Sequence, residues 1–415
     1  MPLNFRIGLF LAIRQLKRAS LWTTGLIIFI MVLTFLNLVV VSGILVGLIQ
    51  GSIEEWHTEY TSDVILSAPS NKTYIENTPN VLSLIHSLPE VEYVSPRYTS
   101  GATLEANYKT KKDTDKPNTA SGQIYGIDPV AENNVTDLKG KMLEGQYLAS
   151  GDYDQVLLGN FLLSQYILID SPNFSALKNT YVGSKIRLTV NGITREVTVK
   201  GILSSKVDNV RLGIYMTDTE MRSLIGRDDG NVGQIAIKLM PGADPDMVKK
   251  TLLLHGADHD AKVQTYVDAQ PQFLKDIVKT FNMLGAAFSS IGLVVASITI
   301  FIVVFINAIT RRKFIGILKG IGIDRQAIEI SYVIQSVFYA LIGSGIGLAV
   351  VYGFLVPYFT AHPINFPFSD GILVAPLGQT FFRVGLLVTS TVIAGFIPAW
   401  MIIRKNTLDS ILGRN

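Results

Sequence analysis

The sequence predicts an α-helical membrane protein with four transmembrane helices and a large extracytoplasmic α+β domain inserted between helices 1 and 2. Three observations lead there. Of the 415 residues 48% are hydrophobic but only 17% charged, where soluble chains carry about 25%. The charges are missing in blocks: residues 19–53, 280–310 and 330–369 hold no Asp, Glu, Lys or Arg, and 371–403 has one interruption, Arg383. Each block exceeds the roughly 20 apolar residues that cross a bilayer core. Finally, the cations gather in the short connections and the acids in the long one.

Taken in order, the blocks predict helices near 22–49, 281–309, 329–356 and 378–403. Pro357, His362, Pro363 and Pro367 interrupt the third block, so its helix should end near Tyr358. Arg6, Arg14, Lys17 and Arg18 precede the first block as in a signal peptide. The apolar run is, however, about twice the roughly 7–15 residues of a cleaved segment, and Ser42-Gly43-Ile44 is a poor cleavage site. The first helix is therefore expected to be retained.

The positive-inside rule sets the orientation. Residues 1–20, 311–329 and 404–415 together carry twelve Lys/Arg against three Asp/Glu, whereas 54–279 carry 23 against 29. Both termini are expected in the cytoplasm, with the chain multi-pass in the membrane. The predicted organisation is a cytoplasmic N-terminal amphipathic segment (1–20), transmembrane helix 1 and stalk (21–62), the extracytoplasmic α+β domain (63–260), and a stalk and transmembrane helix 2 (261–310). A cytoplasmic segment (311–328), helix 3 (329–356), an outer loop (357–377), helix 4 (378–403) and a cytoplasmic tail (404–415) follow.

In the outer domain, β-branched or alternating composition predicts strands at 63–67, 91–95, 185–190, 194–201 and 234–239. Asn191-Gly192 signals a two-residue hairpin. Segments 80–88, 153–166 and 244–254 suit short helices, the last opened by Asp244-Pro245. No chemistry stands out. His255 and His259 are spaced i, i+4 but lie at a glycine-containing helix end without the glutamate of a zinc motif, and a solvated loop explains them. Asp228-Asp229-Gly230 lacks the distal Glu of a calcium loop. No Ser occupies a Gly-x-Ser-x-Gly elbow. Asn71, Asn134 and Asn173 fit the N-x-Ser/Thr pattern, and 109–116 reads as a solvated loop. The absence of cysteine excludes a disulfide scaffold, a thiolate site and a lipid-modified N-terminal cysteine. A net charge of +3 excludes a strongly basic nucleic-acid binder. No metal or catalytic residue is assigned.

The apolar helices should outrun the membrane. Leu45, Ile49, Ile53, Trp56 and Tyr60 continue one face past the first span while Glu54, Glu55 and Glu59 fall on others. Phe273, Ile277, Phe281 and Leu284 do the same ahead of the second. Both read as stalks: Ile49, Ile53, Trp56 and Tyr60 on one, Phe273, Ile277 and Phe281 on the other. Small residues mark close helix packing, Gly43, Gly47 and Gly51 in the first helix and Gly343 and Gly347 in the third, within one protomer or between two. Arg383 would cost about 2.5–3.5 kcal/mol at the bilayer centre, but near the outer end of the fourth helix it can snorkel. With no other intramembrane charge, an ion or proton relay lacks its residues.

The densest cytoplasmic signal is the run 311–326, in which Phe314, Ile317 or Leu318, and Ile321 would line one face of a short helix ringed by Arg311, Arg312, Lys313, Lys319 and Arg325. Topogenic charge and lipid headgroups account for the cations, but not for an apolar face. This run resembles the cytoplasmic segment of FtsX-like permeases. Arg311, Ile315, Gly316, Leu318, Lys319, Gly322, Arg325 and Ile328 match that pattern, while Phe314 stands where the family commonly has an acid and Ile323 where it has Ala. Ala12, Arg14 and Leu16 resemble the family's N-terminal amphipathic segment, and Pro398-Ala399 with 408–412 its ending. Tyr125-Gly126-Ile127-Asp128-Pro129, Glu90-Val91 and Ser95-Pro96 resemble the periplasmic core of MacB and LolC/LolE proteins. The resemblance covers essentially the whole chain.

The resemblance implies a type VII ABC transporter permease, not itself an enzyme. Two permease protomers would pair, as a homo- or heterodimer, and each would bind an ABC ATPase subunit through a coupling helix comprising Arg311, Arg312, Lys313, Ile315, Gly316, Leu318, Lys319, Gly322 and Arg325. ATP and Mg would act through that partner, with no cofactor bound directly, and the stalks would carry its movement outward. No Gly-x-x-x-x-Gly-Lys-Ser/Thr loop is present and twelve residues follow Ile403, so the ATPase is expected on a separate chain. Lipoprotein release, lipid handling and efflux are the expected loads. A periplasmic adaptor, a lipoprotein substrate and membrane lipids are the further candidate partners. The alternative is a regulatory transmembrane module that controls a periplasmic hydrolase or signalling partner.

Overall fold

A computed structural model describes residues 3–112, 116–167, 175–362, 365–366, 369–370 and 373–403. Asn173, the tail signals at 408–412 and the side chain of Arg312 lie outside the described residues. Contacts divide the chain into two compact units, one comprising Met1–Gln50, Asp276–Phe366 and Asp370–Asn415, the other chiefly Gly51–Lys275.

The chain opens with helices α1 (Leu3–Lys17), α2 (Leu21–Leu36) and α3 (Ser42–Trp56). Wider π-type turns at Asn37–Val41 and His57–Thr61 join and extend the last two into one helix, Leu21–Thr61, of 41 residues. At about 1.5 Å per residue it is some 60 Å long, twice the roughly 30 Å hydrocarbon core.

The second unit contains strands β1 (Val64–Ser67), β2 (Val91–Ala106), β3 (Asn118–Ile127), β4 (Met142–Gly145), β5 (Gln155–Gly159), β6 (Lys185–Val190), β7 (Ile193–Leu203), β8 (Gly213–Thr217), β9 (Gln234–Leu239) and β10 (Lys262–Thr265). Between them lie α4 (Thr78–His86), α5 (Pro129–Thr136), α6 (Asp208–Arg211), α7 (Asp218–Ile225) and α8 (Pro245–Leu254). Six strands close a ring: β2 pairs β3, β3 pairs β8, β8 pairs β5, β5 pairs β7, β7 pairs β6, and β6 returns to β2. Strand β2 is long enough to serve twice. Its Ala102–Glu105 stretch pairs β6 within the ring, whereas Val91–Arg97 pairs β9, which continues to β1 and β10. The sheet core is aliphatic, with Leu104, Ile124, Val156, Leu158, Ile186, Leu188, Val199 and Ile214 fully buried.

Local chemistry explains most elements. Asn191 and Gly192 sit at φ +48° and +83° between Val190 and Ile193, so the predicted hairpin turn forms with both residues left-handed. Asp244 caps α8 by accepting the Asp246 N–H at 2.9 Å, and Asp128 caps α5 through Val130 N–H at 2.8 Å. One expectation fails. Residues 153–166 form no helix but strand β5 followed by two 3₁₀ turns. The run Val156-Leu157-Leu158 is buried on both faces, because Val156 and Leu158 join the cluster of Leu104 and Ile124 while Leu157 joins that of Trp56 and Tyr215, and a strand buried on both faces loses its alternation. His255 closes α8 with its ring Nδ1 2.8 Å from Thr251 O, and among the described residues no cluster of metal ligands occurs.

The first unit is completed by α9 (Gln272–Thr310), α10 (Arg312–Gly320), α11 (Arg325–Val350), a π-type turn at Val351–Leu355, α12 (Val356–Ala361) and α13 (Leu377–Ile403). Its four apolar helices, Leu21–Thr61, Gln272–Thr310, Arg325–Ala361 and Leu377–Met401, are long enough to cross a membrane. The third passes Pro357 through the π-type turn and ends three residues beyond the expected Tyr358. Glycines fix the packing inside the chain. A Cβ on Gly343 would lie 2.4 Å from the Met31 side chain, and one on Gly347 would collide with Phe35, so α2 and α11 touch backbone to side chain. Gly43 packs instead on Leu373 and Val374, its carbonyl accepting the Val374 N–H at 3.2 Å. Gly345, by contrast, faces open space. Gly347→Ala should lower the melting temperature of the detergent-solubilised chain by several degrees, whereas Gly345→Ala should leave it unchanged or raised. Equal melting of the two variants would contradict this packing.

Candidate functional site

Helix α10 is short because its boundaries are chemically defined. Arg311 precedes it in a non-helical conformation, Gly322 turns left-handed after it at φ +89°, and Asp324 starts α11 by accepting the Gln326 N–H at 3.2 Å. Its apolar residues split between two faces. Ile315 and Leu318 are 3% and 6% exposed and seat the helix on the bundle. Phe314, Ile317 and Ile321, at i, i+3 and i+7, are 46%, 53% and 71% exposed. Gly316 is buried beneath the seat, while Lys313, Gly322 and Arg325 are exposed and Arg311 is partly so. Lys319 donates from Nζ to the Ile403 carbonyl at 2.6 Å, and burial followed by the nearby Arg325 cation holds its pKa below the usual lysine value. The result is an outward apolar stripe of about two turns, flanked by cations. The coupling residues named from sequence therefore divide into a buried anchor and an exposed rim, and Phe314, Ile317 and Ile321 complete the outward face between them.

The stalk residues also divide. Ile49 and Ile53 are half-buried, and Trp56 and Tyr60 are buried in a cluster with Tyr125, Leu157, Val210 and Tyr215. On the second helix Ile277 and Phe281 are half-buried and Phe273 is 59% exposed. Gly47 is buried and Gly51 half-buried on the first helix. Arg383 stands in the second turn of α13, and its Nη1 has no partner among the described residues.

Around the end of the first long helix lies a buried polar network that no sequence pattern signalled. The Glu59 carboxylate accepts from Ser205 Oγ and from Lys141 Nζ, each at 2.5 Å. Tyr60 Oη accepts from Gln234 Nε2 at 3.0 Å. His57 stacks on Tyr266 with ring centroids 4.2 Å apart and meets Asp63 at 2.9 Å. Burial would raise the Asp63 pKa, but the bonds from His57 and the Leu239 N–H outweigh it and hold the group below its usual value. Beneath Tyr60, at 5.3 Å from its ring, sits the guanidinium of Arg97. Arg97 is 1% exposed and makes two 2.8 Å bonds to Glu132, which also accepts from Ser95 and Thr136. Burial alone would lower the Arg97 pKa, yet the Glu132 carboxylate reverses this and keeps the guanidinium charged. Burial pushes the Tyr125 and Tyr215 hydroxyls well above their ordinary range, so both stay neutral. Apart from His57 with Asp63 and Glu132 with Thr136, the hydrogen-bonded partners are 35 to 176 positions apart in sequence, which is why neither a motif nor a periodicity reveals them. The chemistry of the arrangement is that of a fixed joint between the helix end and the sheet. Removing one member of a buried ion pair costs about 3–5 kcal/mol because the other is left uncompensated. Glu132→Ala should therefore destabilise this unit by that amount in denaturant titration, and Glu132→Ala with Arg97→Met should recover part of it. A single-variant loss under 1 kcal/mol would show that water reaches Arg97.

Comparison with known proteins agrees with this anatomy. The family described as "MacB-like periplasmic core domain" matches residues 24–253, more than half of the chain, and "FtsX-like permease C-terminal" matches 286–407. An uncharacterized ABC transporter permease protein of Mycobacterium tuberculosis is 25% identical over 231 residues, covering 55% of this chain and 25% of that one. The macrolide export ATP-binding/permease protein MacB of Neisseria meningitidis serogroup A is 25% identical over 330 residues, covering 77% of this chain and 47% of that one. The periplasmic region of MacB from Actinobacillus actinomycetemcomitans superposes with a TM-score of 0.37 at 16% identity, covering 56% of this chain and 97% of that one. The chain thus spans between a quarter and about half the length of the two curated relatives. With a MacB-like core domain between the first and second of four membrane-length helices and an FtsX-like segment over the last three, the chain belongs to the family of MacB/FtsX-type ABC transporter permeases.

Proposed function

We propose that the chain is the permease subunit of a type VII ABC system that couples ATP binding and hydrolysis by a separate ATPase subunit to movement of its outer domain. The observation that carries this reading is the outward stripe Phe314, Ile317 and Ile321 on α10, rimmed by Lys313 and Arg325 and braced by the buried Ile315 and Leu318. A helix laid into a groove of a partner is read through such i, i+3, i+7 anchors. The bracing lets force on the stripe pass into the bundle instead of bending a loop.

The cation-rich connections support a cytoplasmic position for α10 and both termini in a bacterial inner-membrane protein. Two protomers pair, ATP and Mg reside in the ATPase partner, and the long helices Leu21–Thr61 and Gln272–Thr310 act as stalks. The joint at Trp56, Glu59 and Tyr60 supports that role, since a lever works only if its end is fixed. Among the loads, efflux has the most support, because several relatives carry the name macrolide export ATP-binding/permease protein. Lipoprotein release and lipid handling use the same mechanics.

Phe314→Asp and Ile317→Asp should weaken capture of the ATPase subunit by about 2 kcal/mol or more, roughly thirtyfold, while leaving membrane insertion and melting temperature intact. Undiminished ATPase capture and stimulation in both variants would reject α10 as the docking helix. Proteins that co-purify in mild detergent identify the load. A membrane-fusion adaptor supports efflux, a second permease with a lipoprotein carrier redirects the reading to lipoprotein release, and a peptidoglycan hydrolase redirects it to a regulatory module.

A further inference from the structure

We propose that the cleft between α1 and the start of α10 is a binding site for an anionic phospholipid of the surrounding bilayer. Arg14, Arg18 and Arg311 line it together with Leu11, Gln15 and Phe314, enclosing about 260 Å³. Three arginines therefore line one recess. The segments that supply them, 1–20 and 311–323, contain no Asp or Glu. Arg14 stands in the last turn of α1 and Arg18 in the turn that follows it, four positions on.

The recess is preformed. Gln335 Nε2 donates to Gln15 Oε1 at 2.7 Å, with both side chains buried. Gly8 lies so close to α11 that a Cβ there would sit 2.7 Å from the Ile330 side chain and 2.9 Å from the Ala327 carbonyl. Helix α1, and Arg14 with it, is thereby held on the bundle.

The surroundings select a lipid. Leu9, Phe10 and Ile13 of α1 are 38%, 62% and 46% exposed, and Leu21 and Trp22, which open α2, are 88% and 90% exposed. Apolar side chains thus project beside the arginines, with a tryptophan at the border where such rings anchor to headgroups. A ligand that satisfies both needs a phosphate for the guanidinium groups and hydrocarbon for the exposed face. Arg binds phosphate oxygens bidentately, and each cation near an anionic surface contributes about 1 kcal/mol. The volume is below the roughly 300–1,000 Å³ that encloses a drug-sized ligand, so the cleft takes the phosphate end while the acyl chains remain in the bilayer. Bound there, the lipid neutralises the arginines and fastens α1 to the corner from which α10 departs. Arg311 and Phe314 are shared with the proposed docking segment, whereas Arg14 and Arg18 lie outside it, so their joint replacement tests the lipid site apart from the ATPase reading.

Native mass spectrometry of the full-length chain tests it, with phosphatidylglycerol or phosphatidylcholine of identical chains added in mild detergent. The wild type should retain phosphatidylglycerol about tenfold more than phosphatidylcholine. Both R14Q/R18Q, which alters only exposed side chains, and R14Q/R18Q/R311Q should lose most of that preference. Millimolar inorganic phosphate should fail to displace the lipid. Equal retention of the two lipids by the wild type, an undiminished preference in both variants, or displacement by inorganic phosphate alone would each overturn the proposal. The last result would identify a free phosphate as the ligand.

Discussion

A helix in hydrocarbon satisfies its backbone hydrogen bonds internally, and nothing at the membrane surface obliges it to stop. The remaining architecture depends on that freedom being used and then ended at a defined place. Residues 21–61 form one helix, and its last turn is anchored by Trp56 and Tyr60 in an aromatic cluster and by the Glu59 carboxylate on Ser205 and Lys141. Ser62 then turns left-handed at φ +53° and the chain enters β1. Without this anchoring, a helix of about 60 Å would be a tether. With it, the helix end and the sheet are joined as one piece.

The ring of strands supplies the stiffness that the anchor needs. Because β2 belongs to the ring and to the β9–β1–β10 sheet at once, the two sheets cannot shift relative to each other without breaking one continuous ladder. Arg97 stands at the change-over, its backbone pairing both Ile127 and Gln234 and its side chain held by Glu132. A buried ion pair is a poor source of net stability. Its geometric requirement, two 2.8 Å bonds with no slack, makes it a good spacer between α5 and the strand.

The sequence was most legible where physics is local or solvent-driven. Four charge-poor blocks became four membrane-length helices because the cost of burying charge leaves little other composition. Asn191-Gly192 gave its turn because only those residue types tolerate two successive left-handed conformations. Legibility failed at 153–166, where a strand buried on both faces mimics a buried helix segment. It failed also for the network around Glu59, Arg97 and Glu132, whose members are joined by tertiary closure alone. At α10 the amphipathic pattern was visible, but its division into a buried pair and an exposed triplet required the neighbouring helices to be in place. The small-residue repeats were readable as close packing, yet the residues they face, Met31 and Phe35, were not.

Arg383, in the second turn of α13, is the one charged side chain in the apolar stretches 19–53, 280–310, 330–369 and 371–403. Moving one elementary charge through 100 mV releases about 2.3 kcal/mol, so a protein that draws work from transmembrane voltage must carry charge through the field. The four stretches hold a single such charge, so a tilt or slide of these helices would carry little charge through the field. A bundle so composed offers a transmembrane voltage almost nothing to act on.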